Sequence, residues 1–192
     1  WSTDRLLILT ADGKAYTVPV EKLPGGRGTG EPLSLFLDLA KGVEIVTARI
    51  HRPDGKLVLA TRSGLGFVAP EAQLVAQTRA GRQVVHLGEG DALAFAVPVE
   101  GDLVAVSATN HKLLVFPLAE LPEQAKGKGV ALMRLKGAAL ADLLTTTAER
   151  GLVWRAGEQL RTLKEWEAYR GRRGAAGRLA PRGFPKDHRF GL

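Results

Sequence analysis

Cysteine is absent from this sequence, which excludes disulfides, thiolate metal sites and cysteine nucleophiles and suits a reducing cytosol. Long apolar runs are absent too. No stretch of about 18 apolar residues occurs, so we expect no membrane-spanning helix and no membrane partner. The first residues, which begin at Trp1, lack the pattern of a signal peptide. Together these absences predict a cytoplasmic protein.

Catalytic motifs are also missing. The segment GGRGTG at 25–30 lacks the Lys-Ser/Thr ending of a Walker A motif, and no GxSxG, HExxH or kinase motif occurs. The four histidines have no metal-ligand spacing, and we expect each at a turn or a strand surface (His51, His86, His111 and His188). We therefore predict a domain with no catalytic residue, no metal and no cofactor of its own.

The sequence does contain a repeat, in which a strand and a small turn lead into a Gly-rich basic loop. The four loops are GGRGTGEPL at 25–33, QTRAGRQVV at 77–85, QAKGKGVAL at 124–132 and GRRGAAGRL at 171–179. The residues that precede them, Pro19, Pro70, Pro117 and Leu163, are separated by 51, 47 and 46 residues. A turn residue lies six residues before each (Gly13, Gly64, His111 and Gly157), and a loop glycine lies 11 or 12 residues after each (Gly30, Gly81, Gly129 and Gly174). These recurring offsets predict repeated structural units.

The pattern within one period predicts short strands separated by tight turns. Four strands in 46 to 51 residues match a propeller-like blade, so we expect an all-β fold of about four blades. The expected units are 1–37, 38–89, 90–136 and 137–192. Pro53-Asp54-Gly55 is a hairpin signal between the strands expected at 44–50 and 57–61. The first unit lacks an opening strand, so we expect an open strand edge there unless the last segment or an upstream segment fills it.

Positive charge recurs in phase with the repeat and is concentrated near the end of the chain. The net charge is +7, and residues 168–192 contain seven Lys/Arg and one Asp. Gly-rich loops let the backbone approach a ligand closely, and their amides with flanking Arg and Lys can bind phosphates. The predicted phosphate contacts are Arg27, Arg79, Arg82, Lys126, Lys128, Arg170, Arg172, Arg173 and Arg178; the loop glycines are Gly28, Gly30, Gly81, Gly127, Gly129, Gly174 and Gly177. The alternative is that these residues only form tight blade corners and a solvated tail.

Aromatic residues are few, at 6% of the chain, and three of them lie near the fourth loop. Trp154, Trp166 and Tyr169 could stack on nucleic-acid bases, but we expect them to pack in the core. Helical periodicity is weak along the chain except around 163–169, where a short helical turn could compete with strand structure.

The loops and their flanks resemble the C-terminal domains of bacterial type IIA topoisomerase A subunits, those of topoisomerase IV above all. The matching stretches are TADGKAY…LPGGRGTGEPL at 10–33, SGLGFV…LVAQTRAG at 63–81, LPEQAKGKG at 121–129 and YRGRRGAAG at 169–177. The resemblance implies a β-pinwheel, in which neighbouring blades exchange strands, and at least one blade before Trp1. It also implies that the catalytic tyrosine lies outside this chain, so neither Tyr16 nor Tyr169 has that role.

The related gyrase A domain has a heptapeptide of the form QRRGGKG, and GRRGAAG at 171–177 is the nearest match. The leading Gln and the Lys are missing, which favours topoisomerase IV over gyrase-type chiral wrapping. We expect a non-catalytic domain that binds and bends double-stranded DNA without sequence preference. It would steer which DNA crossings are used in supercoil relaxation and decatenation.

The implied partners are the rest of the topoisomerase IV A chain and the ATPase chain of a heterotetramer that uses ATP and Mg²⁺. A chromosome-organising protein is a further candidate, and the expected location is the nucleoid-associated cytoplasm of a bacterium. A gyrase A-type wrapping domain and a protein-binding propeller scaffold remain the alternatives.

Overall fold

The computed structural model describes residues 4–20 and 37–192, and these residues form β-strands joined by turns and three short 3-10 helices. The strands are β1 (Arg5–Thr10), β2 (Lys14–Pro19), β3 (Ile45–Ile50), β4 (Lys56–Thr61), β5 (Leu65–Pro70), β6 (Arg82–Gln83), β7 (Leu93–Pro98), β8 (Leu103–Ala108), β9 (Lys112–Pro117), β10 (Val130–Ala131), β11 (Leu140–Thr146), β12 (Leu152–Ala156), β13 (Gln159–Leu163) and β14 (Arg178–Leu179). The 3-10 helices are Glu71–Gln73, Leu118–Glu120 and Trp166–Tyr169. The all-β class is confirmed, and the last helix lies in the segment 163–169, where a helical turn could compete with strand structure.

The strands form four sheets that exchange strands between neighbouring repeat units. From the inner to the outer edge, sheet 1 is β3-β1-β2-β6, sheet 2 is β7-β4-β5-β10 and sheet 3 is β11-β8-β9-β14, while sheet 4 is the hairpin β12-β13. In sheets 1 to 3 the central hairpin comes from one unit, and both edge strands come from the next unit. The inner strands β3 and β11 each contact β7. Each unit is therefore hydrogen-bonded to the sheet before it.

The prediction of a β-hairpin at Pro53-Asp54-Gly55 is wrong. The turn itself forms, with the Gly55 amide donating to the Arg52 carbonyl at 2.9 Å. However, β3 pairs with β1, whereas β4 pairs with β5 and β7. Turn residues specify a local chain reversal, but the open edge of the preceding hairpin determines the pairing partner of β3. The turn therefore connects sheet 1 to sheet 2.

The sequence predicted that the first unit would lack a strand, but in the part of the chain that the structure describes the sheet that lacks strands is sheet 4 in the fourth unit. Sheet 1 has four strands, because β3 and β6 both come from the second unit. A unit donates its opening strand to the preceding sheet, so a missing opening strand leaves its own sheet intact. Within the described residues, sheet 4 is the incomplete one, with two strands.

The core fills the gaps between successive sheets, and the central strands are buried on both faces. All six residues of β8 are buried. The segment after each outer strand enters the gap beside it: Val84 and Val85 pack between sheets 1 and 2, Leu132 and Met133 between sheets 2 and 3, and Phe184 and Phe190 between sheets 3 and 4. Trp154 and Trp166 also pack in the third gap, each 4% exposed, with Tyr169 against them. The expected core role of these aromatic residues is confirmed.

A buried ion pair joins sheets 1 and 2 near the inner edge. Glu71, directly after β5, has a side chain that is 1% exposed, and Arg49 in β3 places its Nε 3.4 Å from the Glu71 Oε1 atom. The contact has ion-pair distance without hydrogen-bond geometry. A carboxylate so deeply buried depends on its partner, because an unpaired buried charge is costly.

Replacement of Arg49 by Met should lower the free energy of unfolding by about 3 kcal/mol, because the Glu71 carboxylate is left buried without a cation. Urea denaturation measures the effect. The double variant Arg49→Met/Glu71→Gln should recover most of the loss. Lys56→Met is the control, because the Lys56–Glu123 pair is 47% and 50% exposed at 3.1 Å and should contribute less than about 1 kcal/mol. If the losses of unfolding free energy from Arg49→Met and Glu71→Gln simply add in the double variant, the ion pair does not couple the sheets.

Asp91 stabilises the turn between β4 and β5. Its carboxylate accepts hydrogen bonds from the Ser63 amide at 3.1 Å, the Ser63 hydroxyl at 2.5 Å and the Ala92 amide at 2.8 Å. Burial by itself raises the pKa of Asp91, but the hydrogen bonds from Ser63, Ala92 and Thr61 outweigh it and hold the pKa below its usual 3.8. The charged carboxylate is thus favoured in the folded state.

Asp91→Asn should therefore reduce stability at pH 7, and the difference from the wild type should shrink as the pH falls through 3.8 and below. The sign follows from a pKa that is lower in the folded than in the unfolded protein. Urea midpoints at pH 7 and pH 3 measure the effect, with exposed Glu89→Gln as control. A difference that stays constant over this range would show that the charge of Asp91 contributes nothing.

Candidate nucleic-acid interface

The Gly-rich basic loops lie at the outer edges of the sheets. The loop at 77–85 contains β6, the outer strand of sheet 1; the loop at 124–132 contains β10, in sheet 2; the loop at 171–179 contains β14, in sheet 3. We call them the second, third and fourth loops. The first loop, with Arg27, Gly28 and Gly30, lies outside the described residues. The outward position follows from strand exchange, since each loop ends in the strand that completes the preceding sheet.

A glycine directly before each outer strand allows the loop to close onto the sheet. These glycines are Gly81, Gly129 and Gly177, with φ of 74°, 81° and 76°. A Cβ on Gly129 would lie 2.6 Å from the Gly66 carbonyl oxygen, so only glycine fits. Gly177, and not Gly174, is thus the equivalent of Gly81 and Gly129. The spacing of 11 or 12 residues that selected Gly174 is wrong, because more residues precede the outer strand in the fourth loop than in the second and third loops.

Backbone hydrogen bonds link successive loops around the perimeter. Each loop bonds to the preceding loop or to the segment that follows it. The bonds are Asp38 N to Arg79 O (2.8 Å), Gly127 N to Val84 O (3.0 Å), His86 N to Gly127 O (2.9 Å), Gly174 N to Leu132 O (2.8 Å) and Arg134 N to Ala175 O (2.9 Å). We call this chain of loops the belt. It connects sheets 1 to 3 without a break in the described residues.

Most of the predicted phosphate contacts are exposed on the belt. These residues are Arg79, Arg82, Lys126, Lys128, Arg170, Arg172 and Arg178. Two of them also have partners within the chain: Arg79 Nε lies 3.7 Å from an Asp38 carboxylate oxygen, and Arg82 Nη1 donates to the Gln73 carbonyl at 2.9 Å. The Arg79 pair is more than half exposed on both sides and therefore weak.

Arg173 differs from the other basic residues, because its side chain holds the fourth loop in place. Its Nη1 donates to the Ala131 carbonyl at 2.7 Å, and its backbone amide donates to a Glu120 carboxylate oxygen at 3.0 Å. The side chain is half-buried. A phosphate contact from Arg173 remains a prediction, and the structure adds a loop-positioning role.

Two tyrosines beside the belt stay neutral at physiological pH. Burial raises the pKa of Tyr16, and Asp12 and Asp38 raise it further. Burial also raises the pKa of Tyr169, with Arg178 acting in the opposite direction. Neither phenol therefore offsets the positive charge of the loops.

Three basic residues that the loop pattern missed lie next to the fourth loop. Lys112, Arg134 and Lys136 line a groove of about 370 Å³ that also includes Ala176. Arg134 and Lys136 follow the third loop in the sequence MRLKG, and this short basic run could have indicated them as candidate phosphate contacts. Lys112 could not be found in this way, because it reaches the groove through the pairing of β9 with β14.

The basic C-terminal segment is docked and does not form a solvated tail. Phe184 and Phe190 are 5% and 1% exposed, and the Phe190 amide donates to Asp142 at 2.8 Å. His188 lies against His111, with 3.0 Å between their Nδ1 atoms, although the two are distant in sequence. His111 is at the predicted turn, between β8 and β9. The segment therefore packs on the sheets, while its cations remain exposed to solvent.

Within residues 4–20 and 37–192, no group of three or more His, Asp or Glu side chains could hold a metal ion. The same residues contain no helix long and apolar enough to span a membrane.

Comparison with known proteins defines the class. The sequence profile of the DNA gyrase C-terminal domain, described as a β-propeller, matches residues 4–52, 55–100 and 112–147, so the chain belongs to this family. Among curated relatives, the A subunit of DNA topoisomerase 4 from Caulobacter vibrioides is 41% identical over 98% of the chain, and that from Rickettsia bellii is 37% identical over 99%. The chain spans about a quarter of the length of these relatives, 25% and 26%.

Solved structures agree with this result. The Escherichia coli ParC C-terminal domain superposes with a TM-score of 0.84 at 28% identity, covering 96% of this chain and 79% of that one. The DNA gyrase A C-terminal domain has a TM-score of 0.70 at 19% identity over 98% of this chain and 64% of that one, and supports the fold alone. The predicted pinwheel fold is confirmed, as is the resemblance to the C-terminal domains of topoisomerase IV A subunits.

Gly129→Ala should lower the free energy of unfolding by about 2–4 kcal/mol, because a left-handed backbone and a clash with Gly66 act together. Gly90→Ala is the matched control, since Gly90 has φ of 75° and no atom within 4 Å of the point that a Cβ would occupy. It should cost about 1 kcal/mol. Urea denaturation compares the two, and equal losses would show that the contact with Gly66 is unimportant.

Proposed function

We propose that this chain is the non-catalytic DNA-binding and DNA-bending domain of a type IIA topoisomerase, from an A subunit of the topoisomerase IV kind. The observation that carries the proposal is the belt. Exposed Arg and Lys side chains lie on consecutive loops that are hydrogen-bonded to one another across three sheets. A duplex that follows the belt would meet cations in every described loop.

The chemistry of the belt fits a phosphate backbone better than base edges. Its cations lie on the loops and on the two-residue strands within them, and none of those that the structure describes is on a helix. Binding should therefore be largely independent of sequence and depend strongly on salt. Bending 20 to 30 base pairs costs on the order of 1–6 kcal/mol, which several phosphate contacts can offset.

The belt is uneven, and its positive charge is greatest near the fourth loop. Arg170, Arg172 and Arg178 are exposed there, and the groove lined by Lys112, Arg134 and Lys136 adjoins the same loop. We infer that the duplex is held most firmly at this end. In the whole protein the domain would hold DNA beside the cleavage core and so influence which crossings are used in relaxation and decatenation. The ATPase chain would supply the ATP- and Mg²⁺-dependent step.

The charge reversal Arg79→Glu/Lys126→Glu/Arg172→Glu tests the belt, because these residues sample three loops. Affinity for a 40-base-pair duplex should fall at least about tenfold, and the slope of log K against log salt should decrease by about 2.7, or 0.9 for each lost phosphate contact. Fluorescence anisotropy measures affinity, and energy transfer between the duplex ends measures bending.

The matched control is Lys41→Glu/Arg52→Glu/Arg150→Glu, which changes the net charge equally at exposed positions outside the loops. It should retain most of the affinity and all of the bending. If both triple variants lose affinity equally, net charge and not the belt accounts for binding. If the belt variant binds DNA normally, the protein-scaffold alternative is favoured.

A further inference from the structure

Strand β13 has an open outer edge, unlike the equivalent strands of the other sheets. In sheets 1 to 3 the second strand of the hairpin pairs at its beginning with the outer strand, as Leu113 does with Arg178. In the described residues, β13 pairs with β12 alone. Leu160 takes the position of Leu113 in the hairpin register. Leu113 packs against sheet 4 and is 1% exposed, whereas Leu160 lies on the outer face of sheet 4 and is 58% exposed. Within the described part of the chain, the β13 edge therefore lacks the outer strand that each hairpin of sheets 1 to 3 has.

The free backbone groups on this edge belong to Leu160 and Thr162. Their equivalents in β9 are Leu113 and Val115, and the Val115 carbonyl accepts a hydrogen bond from the Gly171 amide at 2.8 Å. Alternate residues of an antiparallel strand direct their N–H and C=O groups away from the hairpin partner. Leu160 and Thr162 thus present donors and acceptors in the spacing that an added strand requires.

The groove beside this edge is rich in hydrogen-bond donors and has no carboxylate in its lining. It has a volume of about 370 Å³ and is lined by Trp154, Gln159, Leu160, Arg161, Thr162 and Arg182. Arg161 and Arg182 are exposed. Trp154 is 4% exposed, and its indole N–H has no acceptor within the described part of the chain. A buried indole N–H normally has a partner, so an acceptor from a ligand would complete this site.

We propose that the groove and the β13 edge bind an extended acidic segment of a partner protein, which adds to sheet 4 as a third strand. The backbone of the segment would pair with Leu160 and Thr162, while its carboxylates would meet Arg161 and Arg182. A basic loop like those of the belt is a poor occupant here, because its cations would face these two arginines. This site is separate from the DNA-binding belt and does not depend on it.

The test uses a six-residue synthetic peptide that alternates Val with Glu, together with a Val/Gln version. The acidic peptide should bind at least tenfold more tightly than the Gln version, and it should slow amide hydrogen exchange at Leu160 and Thr162. Arg161→Glu/Arg182→Glu should weaken binding at least tenfold, whereas the matched control Lys41→Glu/Arg52→Glu should not.

Three results would overturn the proposal. One is equal binding of the two peptides, or binding that leaves the exchange of Leu160 and Thr162 unchanged. Another is protection of these two amides in the full-length protein without peptide, which would mean that the protein's own chain fills the edge. The third is protection by a short DNA duplex but not by the acidic peptide, which would assign the groove to the nucleic-acid path.

Discussion

The whole architecture depends on backbone hydrogen bonds that no repeat unit can satisfy alone. Each unit contributes a central hairpin with two open edges, and the next unit supplies both edge strands. Unpaired strand edges are unfavourable, so the hairpins of the first three units are completed only when the next unit is folded against them. The apolar segment after each outer strand then fills the gap between sheets, so that pairing and core formation involve the same residues.

This constraint also accounts for the position of the candidate DNA-binding surface. The chain must pass around the outside of one sheet to become the outer strand of the sheet before it, so every described Gly-rich loop lies on the perimeter. Glycines such as Gly129 let the loop lie directly on the neighbouring backbone. Because the loops are also bonded to one another, their cations are held on one continuous surface, which fits the DNA path proposed above.

Much of the fold was predictable because it depends on local patterns. Short apolar runs bounded by turn residues located strands such as β3 and β4, and the repeat interval indicated the blades. The predictions failed where contacts between residues distant in sequence determine the structure. Pro53-Asp54-Gly55 turns the chain as expected but joins two sheets, and Gly177 is set apart from Gly174 by its contact with Leu113. The burial of Phe190 in the C-terminal segment has no local signal.

The sequence by itself determined the strands, their turns, the repeat and the presence of cations in each Gly-rich loop, because these properties follow from neighbouring residues. Only the tertiary structure decided which strands pair, that Arg173 holds a loop through Ala131, that Lys112 joins Arg134 and Lys136 in one groove, and that β13 has an open edge. The reason is that these features arise from contacts between units, and the exchange of strands brings together residues that no local pattern connects.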